Sequence, residues 1–320
     1  LSKANYKDMV SISSNLHAIM YDSLDQHRLL AKGTGAEKYI KDGGWLHCYA
    51  TKEDFIKDQP NWEMTKRLGL DLVEMTAQEI EEFDPALKGK FGYALLSKTD
   101  GRITDPAEYI KTLATHFINE GGDLKIGKVV GINSPNEHAS VLVFEDGAEI
   151  NADHIVITAG AHSAEIIEKL GYKVPLESER GYHLEFVNAN IELKTGLKVA
   201  SGKFGVNSMN GRLRCAGVVE LGGVDAPASR APFELLKRQV KALFPELEYD
   251  EVKEWMGHRP STSDSLPLIG AFKNHPNIWA GFGHHHLGLT GGPRTGKWLA
   301  QLISGKTPNE DISAYDPNRF

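Results

Sequence analysis

One arginine lies where it could bind the carboxylate of a substrate. Arg259 is followed directly by Pro260 and, a few residues later, by Asp264. A residue that precedes proline favours extended backbone, which fixes the direction in which its side chain points. A guanidinium held in this way can bind a carboxylate through two parallel hydrogen bonds. An arginine in solvent, or in an ordinary ion pair, is the alternative that these residues leave open.

Downstream of this arginine, a cluster of glycines indicates a loop that approaches a ligand closely. The cluster lies between a predicted buried strand and a predicted apolar helix, and its members are Gly281, Gly283, Gly288, Gly291 and Gly292. Glycine lets the backbone approach a flat or anionic ligand, and free N–H groups at a helix N-terminus stabilise negative charge. A reduced flavin carries its negative charge at N1 and C2=O, which suits such a loop. A plain tight turn is the alternative.

Two other motifs in this region do not support the sites that they first suggest. The segment 291–297 matches the start of a phosphate-binding P-loop, but Trp298 stands where Ser or Thr should reach Mg²⁺, and Pro293 removes one N–H donor. His284, His285 and His286 are adjacent, so their side chains diverge, and no partner lies at ligand spacing. We therefore expect neither a nucleoside-triphosphate site nor a metal site.

Composition excludes several classes of protein. With 36 basic and 43 acidic residues among 320, the chain carries a formal net charge of −7, which argues against a nucleic-acid binder. A hydrophobic content of 41% excludes wholesale disorder, and no apolar run of about 18 residues could span a membrane. Cys48 and Cys215 cannot form a disulfide framework, and we expect buried thiols in a reducing compartment.

The elements that position these motifs follow from hydrophobic periodicity and from start and stop signals. Helices are predicted over residues 5–31, 52–69, 76–84, 105–121, 161–170, 231–243 and 288–303. Strands are predicted at residues 45–49, 72–75, 124–132, 140–144, 150–158, 212–218 and 277–280. The run from His154 to Thr158 is apolar enough for a strand buried on both faces. Mixed βα units and a block of antiparallel strands predict a two-domain α/β or α+β enzyme.

Together these segments resemble the D-amino-acid oxidase/dehydrogenase family of FAD-dependent oxidoreductases. Residues 257–270 resemble its GxRPxTPDxxPxIG block, and residues 283–290 resemble its flavin loop, GHxxxGxT. Residues 100–106 and 153–160 resemble the start of its middle helix and the strand that returns beside the cofactor. Segments 180–182, 212–220 and 311–320 are most similar to the bacterial D-amino-acid dehydrogenases.

One part of the family pattern is missing. The family begins with a βαβ unit that carries GxGxxG, and this sequence contains no GxGxxG. Because the chain opens at Leu1, we expect a truncated family member whose fold lacks that first βαβ unit. The resemblance implies a substrate domain with an antiparallel sheet, formed by residues 1–96 and 172–254. Residues 97–171 and 255–320 are expected to form the remainder of the FAD-binding domain.

The resemblance implies an FAD-dependent amino-acid dehydrogenase or oxidase of amino-acid catabolism. A small D-amino acid would be oxidatively deaminated by transfer of a hydride from Cα to flavin N5. The alternatives are a sarcosine, glycine or hydroxyproline oxidoreductase, or a fragment or subunit that is inactive without the missing dinucleotide-binding half. The expected partner is an amino acid or amine, without nucleic acid. A cytoplasmic location is expected, with contact to the inner face of the membrane or to an electron acceptor as a further option.

The same resemblance assigns roles to individual residues. Catalytic roles fall to Arg259, Tyr182 and His286. Alternation along a strand lets only one of Tyr182 and His183 face the pocket, and we favour Tyr182. Contacts to FAD are expected from Val129, Ala159, Gly160, Gly283, His284, Leu287, Gly288, Leu289 and Thr290. No metal ligand is expected.

Overall fold

The computed structural model of the chain describes residues 5–136 and 139–320, so Leu1 lies outside the described residues. Its helices are α1 (Tyr6–Met20), α2 (Ser23–Ala31), α3 (Lys52–Arg67), α4 (Ala77–Phe83), α5 (Pro106–Asn119), α6 (Ser163–Glu168), α7 (Arg230–Leu243) and α8 (Gly288–Ile303). Thr51, Thr76 and Asp105 cap α3, α4 and α5 by accepting a hydrogen bond from a first-turn N–H. At Thr76 the reciprocal bond to Glu79 completes the predicted capping box.

Within the described residues, the strands are divided among four sheets. They are β1 (Ile40–Asp42), β2 (Trp45–Tyr49), β3 (Leu72–Thr76), β4 (Tyr93–Ser97), β5 (Gly101–Ile103), β6 (Val129–Asn136), β7 (Ala139–Phe144), β8 (Glu149–Ala152), β9 (Ile155–Ile157), β10 (Leu176–Val187), β11 (Gly196–Val199), β12 (Phe204–Met209), β13 (Arg212–Leu221), β14 (Glu251–Thr262), β15 (Leu268–Phe272) and β16 (His275–Phe282). The predicted mixture of helices, parallel strands and antiparallel strands is confirmed.

The large sheet has the strand order β14-β10-β13-β12-β11-β2-β4-β3, with only the β11–β2 pair parallel. Helix α7 covers one face of it, because Phe233, Leu236 and Val240 recur at helical spacing and are all buried. Alternate strand residues such as Leu184 and Leu213 point into the same apolar cluster. The residues between them point to the opposite face, which we call the open face.

A smaller sheet leads into the cluster of glycines that begins at Gly281. Its order is β15-β16-β9, and β9 runs parallel to β16. The C-terminal ends of parallel neighbours lie at the same edge of a sheet, where ligands commonly bind in α/β proteins. This sheet packs on α6 through a separate apolar cluster that includes Ile155, Ile278 and Phe282.

Helices α1 and α2 pack against α8. A methyl group added at Gly291 would lie 2.6 Å from Ile19 of α1, so this glycine serves helix packing rather than a ligand. Arg294 of α8 is 2% exposed and forms ion pairs with Asp22 and Glu310. The division of the chain into two domains stays a prediction, in which α1 and α2 belong with the large sheet.

Several local predictions differ from the structure. The helix predicted over residues 5–31 is broken at Tyr21 and Asp22, and β6 begins at Val129 rather than at residue 124. Strand β9 is not buried on both faces, because Val156 is 38% exposed. The P-loop-like segment 291–297 lies within α8 and forms no loop.

Candidate active site

Two loops meet at one edge of the small sheet. Strand β16 ends at Phe282 and is followed by the segment Gly283 to Leu287, which we call the glycine loop. Strand β9 is followed by a turn that contains Ala159 and Gly160, at the same edge because the two strands are parallel. Gly283 has φ +88°, and a methyl group there would lie 2.9 Å from Thr262 Cγ2. Only glycine fits this turn without strain.

The end of β14 is tied directly to the glycine loop. Ser261 pairs with His284 as an antiparallel bridge, and the backbone N–H of His285 donates to the carbonyl of Pro260 at 3.0 Å. The backbone N–H of Thr262 donates to His285 Nε2 at 3.1 Å. Arg259 therefore lies one residue before the segment that holds the loop.

The Arg259 guanidinium lies flat over the open face of the large sheet. A methyl group added at Gly181 on the neighbouring strand would be 2.5 Å from Arg259 Nη2. Among the described residues, no carboxylate forms an ion pair with Arg259. Partial burial lowers the pKa of Arg259, and the negative charge of Glu179 partly opposes this effect. The guanidinium is thus placed by packing and remains available to an anion.

The three adjacent histidines point in three different directions. His284 Nε2 lies 2.9 Å from Thr295 Oγ1 inside the α8 packing, and burial lowers its pKa to about 4. His285 has a left-handed φ of 52° and is fixed by Thr262. Burial lowers the pKa of His286, and the positive charge of Arg259 lowers it further. The predicted contact of His284 with FAD can therefore involve only its backbone.

The first turn of α8 presents backbone donors at the glycine loop. Leu287 is the N-cap residue, and no side chain caps the helix. The N–H groups of a helix's first turn lack partners within the helix, here those of Gly288, Leu289 and Thr290. Together with the helix dipole they favour an anionic group.

A buried histidine that is not among the residues predicted from the sequence supports this first turn. His27 Nε2 lies 2.9 Å from the Leu289 carbonyl, and His27 Nδ1 lies 2.8 Å from the Tyr109 hydroxyl. A carbonyl only accepts, so Nε2 carries the proton and Tyr109 donates to Nδ1. Leu289 would normally bond to the N–H four residues later, but Pro293 has none. A proline at that spacing was the available signal that Leu289 needs another donor.

Tyr182, which the sequence favoured over His183, lies on the core face of β10 and not on the face that carries Arg259, and its catalytic role stays a prediction. Tyr182 is 1% exposed, packs edge-to-face on Phe233 of α7, and donates to Glu220 at 2.5 Å. Its neighbour His183 points to the open face and stacks on Trp255 at 4.7 Å between ring centroids. Strand alternation places Tyr182 and His183 on opposite faces, and the packing of α7 makes the Tyr182 face the core.

Other charged residues of the open face were also missed. Arg214 Nη2 donates to His183 Nδ1 at 3.2 Å, which requires His183 to be neutral at that nitrogen. Burial lowers the pKa of His183 to about 3, with further contributions from Arg214 and Arg212. The other predicted cofactor residue, Val129, lies on a different sheet, where it pairs with Phe144. The structure thus assembles Arg259, His286 and the glycine loop, with Ala159 and Gly160 at the same edge, but places Val129 elsewhere.

The residues at the glycine loop fit the pyrimidine edge of an isoalloxazine. A methyl group at Gly288 would meet only the Cβ of His284 at 3.6 Å, so the backbone is open there. The Ser261 hydroxyl, on a residue that is 5% exposed, has no hydrogen-bond partner among the described residues. Uncapped N–H groups and a buried hydroxyl without a partner match the polar edge of such a ring. This fit concerns the isoalloxazine side alone.

Comparison with known proteins identifies the family. A family model described as DAO, FAD dependent oxidoreductase, matches residues 4–302. The chain belongs to this family. It is 34% identical over 309 residues to a D-amino-acid oxidase of Bradyrhizobium diazoefficiens, covering 95% of this chain and 73% of that protein. It is 29% identical to a D-amino acid dehydrogenase of Dechloromonas aromatica, covering 84% of this chain and 66% of that protein.

Solved structures show the same FAD-oxidoreductase fold. A glycine oxidase from Geobacillus kaustophilus matches with a TM-score of 0.82 and 21% identity, over 100% of this chain and 85% of that one. An L-proline dehydrogenase from P. horikoshii matches with a TM-score of 0.80 and 20% identity, over 94% of this chain and 82% of that one. The predicted family and fold are confirmed. Within residues 5–136 and 139–320, no helix combines the length and apolar character needed to cross a bilayer.

Proposed function

We propose that the chain supplies the substrate site and the isoalloxazine-side contacts of an enzyme that oxidatively deaminates a D-amino acid. The observation that carries this proposal is the connection between Arg259 and the glycine loop. The bridge from Ser261 to His284 and the bond from His285 to Pro260 join the strand that carries Arg259 to the loop that precedes the uncapped start of α8. A site for a carboxylate and a site for the edge of a flavin would then be built on connected segments of the chain.

Arg259 would bind the α-carboxylate of the substrate. Its guanidinium has a fixed position over Gly181 and no ion-pair partner among the described residues. Two parallel hydrogen bonds to a carboxylate fix both the position and the orientation of the amino acid. Such positioning contributes several kcal/mol to a reaction that needs a near-attack geometry.

The α8 N-terminus would hold the cofactor. The N–H groups of Gly288, Leu289 and Thr290 would face the N1–C2=O edge, with His27 fixing the Leu289 carbonyl from the other side. When bound, FAD supplies the two-electron acceptor for the hydride that leaves the substrate Cα. The substrate amine must be neutral for this loss, and the imine product hydrolyses in water. No strong base is required of the protein.

A glycine or sarcosine oxidoreductase is the second candidate. The chain is 29% identical to a glycine oxidase of Pseudomonas putida, but over 52% of the chain only. The D-amino-acid oxidase match has higher identity and covers almost the whole chain, so we favour D-amino acids with a side chain. Ala159, Gly160 and Val129 stay predictions as contacts to the rest of FAD.

The test is a substrate comparison with FAD supplied to the purified chain. Reduction of a dye acceptor is expected with D-alanine and not with L-alanine. Arg259→Leu is expected to raise KM for D-alanine at least about tenfold, because an ion pair to a carboxylate is lost. The same change should spare an amine without a carboxylate. Arg230→Leu, which removes an exposed arginine paired with Glu234 and Glu254, is the control.

Two results would overturn the proposal. Equal loss for amines and amino acids in Arg259→Leu would mean that Arg259 does not bind the carboxylate. A chain that neither binds FAD nor reduces dye with any D-amino acid or glycine would instead be a fragment that requires a further protein segment for activity.

A further inference from the structure

Arg259 and Arg214 lie on the open face of the large sheet, on either side of β10. Arg259 comes from β14 and lies over Gly181. Arg214 comes from β13 and donates to His183 at 3.2 Å. Gly181 and His183 are alternate residues of one strand and face the same side, so these two anchor points are about 7 Å apart.

Arg214, like Arg259, lacks an ion-pair partner among the described residues. Its cross-strand neighbour Glu185 is already occupied, since Arg212 Nε lies 2.9 Å from Glu185 Oε2. Arg212 also pairs with Asp105 at 3.1 Å, so that arginine lies between two carboxylates. The Nε atom of Arg214 is buried and has no acceptor. A buried guanidinium in this state is costly unless a ligand supplies the anion.

A second buried polar atom lies beside Arg214. Asn207 is its cross-strand neighbour on β12, and the Asn207 Oδ1 atom is buried without a donor. Rotating this amide by half a turn would direct its two N–H donors to the same place. Burial lowers the pKa of Arg214, the negative charge of Glu185 opposes this effect, and the positive charges of Arg212 and Arg259 lower the pKa further. Because Glu185 is already paired with Arg212, an anion that pairs with Arg214 would have to come from a ligand.

We propose that the substrate carries a second anionic group on its side chain, so that Arg259 binds the α-carboxylate while Arg214, helped by Asn207, binds a side-chain carboxylate. This inference rests on the proposed function and names the substrate class as short dicarboxylic D-amino acids. His183 holds Arg214 in place through its neutral Nδ1, and Trp255 covers His183 from the open side. Because the two guanidinium groups are anchored two residues apart, two separate carboxylates match them better than one.

The experiment measures the binding of two non-oxidisable probes, glutarate and its monoamide glutaramate, by calorimetry on the purified chain with FAD present. The probes have the same length and differ in one charged group. Glutarate is expected to bind at least about tenfold more tightly, since it fills both guanidinium sites. In Arg214→Gln this preference should fall to about twofold or less, with glutaramate affinity nearly unchanged.

Arg230→Gln is the matched control, because it also removes one guanidinium, but an exposed one on α7 that is already paired with Glu234 and Glu254. It should leave the preference for glutarate intact, and thermal unfolding checks that both variants fold. As a second readout, kcat/KM for D-glutamate over D-glutamine should follow the same pattern. Equal binding of the two probes, or equal weakening of both in Arg214→Gln, would overturn the inference.

Failure of this inference is distinguishable from failure of the proposed function. If D-alanine is oxidised but acids and amides are treated alike, only the second anion site is refuted. If no amino acid is bound or oxidised, the proposed function and this inference fall together.

Discussion

Replacing His27 with leucine is expected to destabilise the protein by about 1–3 kcal/mol, chiefly through one backbone carbonyl. The Leu289 carbonyl faces position 293 of α8, where Pro293 has no N–H. His27 Nε2 provides the missing donor at 2.9 Å, and His27 itself is 7% exposed. Leucine occupies a similar volume but cannot donate, so the carbonyl is left without a partner.

A second substitution separates this effect from ordinary repacking. Pro293→Ala restores an N–H that reaches the Leu289 carbonyl in a regular helix. The loss in unfolding free energy caused by His27→Leu should therefore be about 1 kcal/mol smaller in the Pro293→Ala background than in the natural sequence. Urea unfolding of the four proteins, followed by circular dichroism, gives this coupling free energy. Tyr109→Phe, which removes only the donor to His27 Nδ1, is the control and should not couple to Pro293→Ala.

The difference between the two free-energy costs tests whether His27 acts as a donor to the Leu289 carbonyl. An equal cost of His27→Leu in both backgrounds would refute the role of His27 as a substitute donor. The slope of the unfolding free energy against urea should stay constant across the series, so that the midpoints report stability alone.

Two further predictions follow from buried side chains. Tyr182→Phe should lower the free energy of unfolding by about 1–2 kcal/mol, because Glu220 and the Ser229 N–H lose their hydrogen bonds to this hydroxyl. Urea unfolding measures the loss. A changed KM for D-alanine would contradict the core position of Tyr182. In the folded protein, burial lowers the pKa of His284 from 6.5 to about 4, so its imidazole is neutral near pH 7. Its contribution to stability is therefore complete above pH 6.5 and is lost as the pH falls toward 4. In that window His284 should lower the free energy of unfolding by up to about 1.4 kcal/mol for each pH unit of acidification. His284→Gln should make the dependence of the unfolding free energy on pH less steep by this amount. An unchanged dependence would contradict the buried, neutral state of His284.

Elements governed by neighbouring residues could be predicted from the sequence. Thr76 and Glu79 are three residues apart, and their mutual capping depends on nothing distant. Helix α8 begins at Gly288 and ends at Ile303, as its apolar periodicity predicts. The connection of Arg259 to the glycine loop was expected only through the family resemblance, since the bridge from Ser261 to His284 spans two strands and a turn.

Features that depend on long-range packing could not be predicted in the same way. Alternation showed that Tyr182 and His183 face opposite sides, but the docking of α7 decided which side is the core. His27 lies 262 residues from Leu289 along the chain, and no local pattern joins them. The proposed role of Arg214 likewise depends on the pairing of its neighbour Glu185 with Arg212, which the sequence does not show.

The central claim is that Arg259 and the glycine loop form one site for a carboxylate beside a flavin. The most direct measurement is the visible difference spectrum of the FAD-supplied protein during titration with propionate, a carboxylate that cannot be deaminated. We predict a saturable change in the flavin bands that is lost in Arg259→Leu and retained in Arg230→Leu. A spectral change of the same size and affinity in Arg259→Leu, or none in the natural protein while FAD is bound, would contradict the claim.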